Sequence, residues 1–171
     1  TVVEVMDRIM PVEDAEISSF AQNIFEKEGM SFHVGAEVQS LKPTKHGVIA
    51  SIKGQKDKVI TLEFEKVILA VGITGNVENI GHEDSKIEVE KGHLKVNQWM
   101  QTDEPGVYAI GDLVGPPWLA HKASHEAVLC IERIAGIEKT LPLDTDNVPA
   151  CTYCRPQIAS IGISEEAAVA K

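Results

Sequence analysis

The sequence predicts an α/β fold, and three observations carry that prediction. A β-branched run at residues 1–5 (TVVEV) is followed, past Pro11, by Ile17, Phe20, Ala21, Ile24 and Phe25 at helical spacing. Further strand-like runs then alternate with polar turns. Finally, residues 67–71 (VILAV) are apolar throughout, the pattern of a strand covered on both faces. Strand, helix, strand, meander, strand is the order of layered α/β proteins.

Each element has a local reason. Asp14 is placed to cap the first helix, and Gly29 to stop it just past Glu28. Residues 31–34 form a strand. Residues 37–41, 48–53 and 59–64 are separated by PTKHG and KGQKDK, so they form an antiparallel meander. Residues 72–81 (GITGNVENIG) are a glycine-rich loop and a boundary. Residues 87–89 and 94–96 make a hairpin around EKGH, and 107–110 a second buried strand. A tight turn at 115–117 precedes a helix over 120–135 that Gly136 closes. Residues 141–149 are acidic and proline-bearing, as linkers are. Residues 151–163 read as one more strand, and Ser164 caps a last helix with Glu165 and Glu166 at its positive end.

The bulk properties narrow the function. The chain has 171 residues, is 43% hydrophobic and carries a net charge of −10. An acidic surface repels phosphate backbones, so nucleic acid is not the expected partner. The longest apolar run, 67–73, is far short of a membrane span. Three cysteines (Cys130, Cys151 and Cys154) are too few for a secreted disulfide scaffold and fit a reducing cytoplasm or organelle matrix. The chain opens inside a strand-like run and closes in the first turns of a helix, as an internal stretch of a longer protein would.

Several residues could carry chemistry. Glu4 ends the first strand. An acid there is either simply solvated or, in a dinucleotide-binding sheet, accepts hydrogen bonds from both adenosine ribose hydroxyls. Asp112 follows Gly111 after the strand-like VYAI. Such a glycine lets backbone approach a ligand, and the acid can bind a sugar hydroxyl or cap a nearby helix. Leu119, Ala120 and His121 fall at a helix N-terminus, where free N–H groups suit an anion or an electron-rich ring edge. His121 could be a base, a metal ligand or a packed imidazole. His125 stands four residues on, but no third ligand is at metal-site spacing.

CTYC at 151–154 raises two sharper possibilities, a redox pair or half of a zinc site. A redox CxxC opens a helix whose dipole lowers the first thiol's pKa. Here the pair lies in a β-like run ahead of Arg155 and Pro156, and zinc would need two more ligands. Small buried residues filling sheet positions are the better expectation.

The stretches VILAVG, TDEPGVYAIGDLVG and GPPWLAHKASHEA together resemble the flavoprotein pyridine-nucleotide disulfide oxidoreductases. LAHKASHE is similar to the pattern MLAHKAxxEG of that family's dihydrolipoamide dehydrogenase branch. TVVEVMDRIMP resembles the second NAD-domain strand, and IASIGISEEAA the start of the interface domain. The resemblance implies a partial Rossmann-like NAD-binding domain at 1–77. It implies a returning segment of an FAD-binding domain at 78–144 and the start of an α+β interface domain at 145–171.

The resemblance also implies roles. Glu4 would hold the NAD adenosine ribose, Val38 would line the adenine pocket, and Gly72 would let backbone pass beside NAD. Asp112 would bind the FAD ribityl chain, and Leu119, Ala120 and His121 would lie along the flavin. Glu126 matches the family's acid in that helix. No catalytic residue or metal ligand is assigned, because the family's CxxxxC disulfide and C-terminal acid–base His have no counterpart here. The loop reads GITGN where the family usually reads GRxPN. The implied activity is oxidation of protein-bound dihydrolipoyl groups through a disulfide and FAD, with reduction of NAD. The implied partners are a lipoyl-bearing acyltransferase of a 2-oxoacid dehydrogenase complex and a second copy, in bacterial cytoplasm or mitochondrial matrix. The chain alone is expected to be inactive. Alternatives are a mercuric- or glutathione-type reductase, a thiol-redox module, or a non-catalytic module reusing the fold.

Overall fold

The computed structural model describes residues 1–171. It is mixed α/β and divides into two compact units, Thr1–Ala70 with Cys151–Lys171, and Val71–Ala150.

The first unit starts as a βαβ unit. β1 (Val2–Glu4) and β2 (Phe32–Val34) pair in parallel, Glu4 opposite Val34, and α1 (Ala15–Lys27) connects them. Gly29, at φ +96°, ends α1 in a left-handed conformation that costs glycine nothing. Gly29 N–H then donates to Glu26 O and Met30 N–H to Phe25 O, the paired bonds of a Schellman stop. The buried face of α1 differs from the predicted stripe. Ala21 and Ser18 are buried, whereas Ile17 and Phe20 are exposed. Ser18 tolerates burial because its hydroxyl donates to Met10 O. Ala21 packs with Ile9 and Ile158, flanked by Phe25 and Phe32.

A three-stranded antiparallel meander follows: β3 (Glu37–Pro43), β4 (Val48–Lys53) and β5 (Val59–Phe64). β4 is central, and its alternation places Ala50 and Ile52 in a core with Ala36. Val3 packs against this core from β1.

The end of the chain returns to this unit. The predicted single strand over 151–163 is instead two short paired strands, β8 (Ala150–Thr152) and β9 (Ile158–Ser160). Pro156 lies between them and has no N–H to continue a ladder. Ser164 caps α3 (Glu165–Ala170) by accepting from Ala167 N–H. Arg8 makes a two-pronged pair with Glu166, and Asp14 accepts from Glu165 N–H rather than capping α1.

In the second unit the hairpin forms as predicted but is shorter, β6 (Val89–Glu90) with β7 (His93–Leu94). A 3-10 turn at Gly111–Val114 precedes α2 (Ala120–Ile134). Leu94, Val77 and Ala109 make one small core, and Met100, Leu129 and Cys130 another.

Two predicted strands are absent. Residues 67–71 form no ladder, and Ile68 and Val71 are over 90% exposed. An apolar strand is stable only with backbone partners on its flanks, and no segment of this chain pairs with it. Residues 107–110 contribute only an isolated antiparallel bridge, Gln101–Tyr108, made by Thr102 N–H to Val107 O and Ala109 N–H to Met100 O.

Candidate functional site

In the first unit, Glu4 is the last residue of β1, at the carboxyl end of a parallel pair. Its Oε1 accepts from Met6 N–H at 2.8 Å, so one oxygen is held locally and the other is available. Around it, Gly35 N–H donates to Met6 O and Ala36 N–H to Glu4 O, tying the β2–β3 turn to this strand end. Val38 lies two residues into β3, exposed beside a bulge that separates it from Ser40.

In the second unit, a buried ion pair builds the ground beneath Asp112. Lys122 and Glu126 stand one turn apart on α2, and their Nζ–Oε1 distance is 2.9 Å with only 2% and 4% of the side chains exposed. Glu126 Oε2 accepts from Gly111 N–H at 2.7 Å. Lys122 Nζ donates to Gly115 O at 3.0 Å and, more weakly, to Gly111 O at 3.4 Å. Charges this buried persist only when paired and hydrogen-bonded, which these bonds achieve.

Gly111 sits at φ +76°, and a Cβ there would come within 3.3 Å of Ala123 Cβ. Only a glycine lets the turn lie this close to α2. Asp112 follows, exposed.

At the start of α2, Leu119 is the N-cap and offers no side-chain cap. The first intrahelical bond is Ala123 N–H to Leu119 O, leaving the N–H groups of Ala120, His121 and Lys122 without an i−4 partner. His121 Nε2 lies 2.6 Å from Pro149 O and donates its proton there. The exposed ring thus makes a backbone contact. Ahead of the helix, Trp118 Nε1–H donates to His93 Nε2 at 3.1 Å, while His93 Nδ1–H donates to Lys91 O. Gly72, at φ +136°, falls in this unit, and a Cβ there would meet nothing within 4 Å.

Of the residues named from sequence, Glu4 and Val38 fall in the first unit and Asp112, Leu119, Ala120 and His121 group in the second, while Gly72 joins neither group. Sequence reading passed over Lys122 and the Trp118–His93 contact. The spacing of Lys122 and Glu126 was visible, but i,i+4 pairs usually mark a solvated face. A cleft of about 460 Å³ in the second unit, lined by Asn97, Thr102 and Tyr108 among others, includes none of the named residues.

CTYC does not fill buried sheet positions as expected. Cys151 is exposed and Cys154 half-buried, its thiol against Pro156 O, because β8 is too short and too open to cover them. Cys130 is the buried cysteine, and burial pushes its thiol above the ordinary value.

The donor set fits nucleotides. An exposed acid on a glycine-borne turn and open N–H groups at a helix start match a polyol and an electron-rich ring. A half-free carboxylate at a parallel strand end matches a ribose diol.

The chain belongs to the pyridine nucleotide-disulphide oxidoreductase family, whose pattern matches residues 1–127. More narrowly, it is similar to proteins named dihydrolipoyl dehydrogenase. It is 44% identical over 165 residues to the one from Rhizobium etli, covering 96% of this chain and 34% of that protein. It is 43% identical over 168 residues to the one from Zymomonas mobilis, covering 98% and 36%. The solved structure of LpdA from Mycobacterium tuberculosis matches with a TM-score of 0.86 at 26% identity, covering 99% of this chain and 36% of LpdA. The chain spans about a third of the length of these relatives. No helix is long and apolar enough to cross a membrane.

Proposed function

We propose that this chain is the nucleotide-holding stretch of a dihydrolipoyl dehydrogenase, an enzyme that oxidises protein-bound dihydrolipoyl groups and reduces NAD. The observation that carries the reading is identity of 44% over nearly the whole chain to a protein of that name. In this reading residues 1–77 belong to the NAD-binding domain, 78–144 to the returning FAD segment and 145–171 to the interface domain. The partners are a lipoyl-bearing acyltransferase and a second copy of the enzyme, in cytoplasm or mitochondrial matrix.

FAD and NAD, when bound, supply the two-electron transfer; the protein supplies position and charge. Glu4 accepts from the adenosine ribose diol through the oxygen that Met6 N–H leaves free. Its charge repels a 2′-phosphate, which selects NAD over NADP. Val38 offers an apolar surface to the adenine, and Gly72 keeps the backbone clear of side-chain bulk. Asp112 accepts from a ribityl hydroxyl. Leu119, Ala120 and His121 lie along the flavin, and the open N–H groups of Ala120 and His121 and the helix dipole favour electron density at its edge. His121 holds its Nε2 proton on Pro149 O, which fixes the ring against the backbone.

The test is steady-state assay of the full-length protein. NADH formation driven by dihydrolipoamide, with NADP a poor acceptor, is the expected result. Turnover only with glutathione disulfide or mercuric ion, or with NADP preferred, contradicts the reading.

A further inference from the structure

We propose that Lys122 and Glu126 are positioning residues for FAD: their buried ion pair grips the Gly111 peptide from both sides and thereby sets where Asp112 meets the ribityl chain. The inference rests on Asp112 serving FAD as proposed above. Three observations carry it. The pair is almost wholly buried, so it is not a solvated helix face. Its spare hydrogen bonds go to the Asp112 turn, with Glu126 holding Gly111 N–H and Lys122 holding the carbonyls of Gly111 and Gly115. Those contacts bracket the 3-10 turn at its first residue and just past its last, so the turn moves only if the pair moves.

The same pair stands on the first two turns of α2. It couples the two parts of the proposed flavin seat, the Asp112 turn and the open N–H groups at the helix start. A helix merely stapled to itself by an i,i+4 pair would leave that turn to find its own place.

The experiment is a double-mutant cycle on FAD affinity in the flavin-free full-length protein, read by quenching of flavin fluorescence. Asp112→Asn is one arm. The other is Lys122→Met combined with Glu126→Gln, which removes both charges so that no lone ion is buried, keeps an acceptor for Gly111 N–H, and loses the grip on the carbonyls. Each arm is expected to weaken FAD binding about tenfold, the size of one charge-assisted hydrogen bond. Combined, they are expected to weaken it by little more than either alone, because the pair acts through Asp112. Losses that multiply would overturn positioning while leaving the Asp112 assignment intact. A lowered melting temperature with unchanged FAD affinity would assign the pair a structural role only and likewise overturn the inference. An Asp112→Asn protein that binds FAD normally would overturn both the Asp112 assignment and the inference. Should the double substitution fail to fold, Lys122→Arg, which keeps the charge beside Glu126 but cannot repeat the ammonium's bonds to the two carbonyls, replaces it with the same expected cycle and the same contradicting outcomes.

Discussion

Glu4 and Asp112 are two acids placed to hold sugars, and the protein supports them in opposite ways. Glu4 is fixed by its neighbours in sequence, with Met6 N–H on its carboxylate and the β2–β3 turn tied to its strand end. Asp112 is fixed from a distance, by an ion pair on α2 that reaches back over more than a helical turn of sequence to Gly111. Local support is cheap to form and cheap to lose. Long-range buried support is costly to break, because each charge is stable only with its partner.

The predictions probe that contrast, largest first. Lys122→Met strands the Glu126 carboxylate in the interior and is expected to cost about 3–5 kcal/mol, read as a fall in denaturation midpoint. A loss under about 1 kcal/mol would mean the pair is effectively solvated, and the contrast would collapse. Gly111→Ala forces a side chain into a left-handed backbone and against Ala123, and is expected to cost roughly 1–2 kcal/mol. Glu4→Ala removes a single local bond and is expected to cost about 0.5–1.5 kcal/mol, the least of the three. If Glu4→Ala proved as damaging as Lys122→Met, the local-versus-distant distinction would be wrong.

The smallest effect concerns pH. Burial raises the Cys130 thiol above its ordinary value of 9.0, so the unfolded chain loses that proton first as pH rises. The thiol's contribution is therefore full below pH 9.0 and declines as pH climbs from there through the raised value. Stability measured from pH 8.5 upward should fall less in Cys130→Ala than in the parent. Equal slopes would show that another group governs the alkaline limb.

The same contrast explains what could be read from sequence. Elements set by near neighbours were legible: α1 with its Gly29 stop, the 48–53 and 59–64 strands with polar turns between, and the Ser164 cap. What depended on distant partners was not. The apolar run 67–71 has much the composition of β4, yet β4 is central with a strand on each side while 67–71 pairs with nothing in this chain. Composition reports that a segment wants covering, not that a cover is present. Glu4 and Asp112 could be named as candidates because strand ends and Gly-Asp turns have local signatures. Lys122 could not, since burial of a lysine is decided by what folds over it. CTYC fails in the reverse sense. Its cysteines were expected buried inside a long strand, yet Cys151 is exposed within β8, a short strand paired only with β9.

The central claim is that the two acids serve two different nucleotides. The direct measurement is a crossed titration of the full-length protein, with FAD and NAD affinity each determined for Glu4→Gln and Asp112→Asn. The account predicts that Asp112→Asn weakens FAD about tenfold or more and leaves NAD unchanged, and that Glu4→Gln does the converse. Both substitutions weakening the same nucleotide, or neither weakening any, would contradict it.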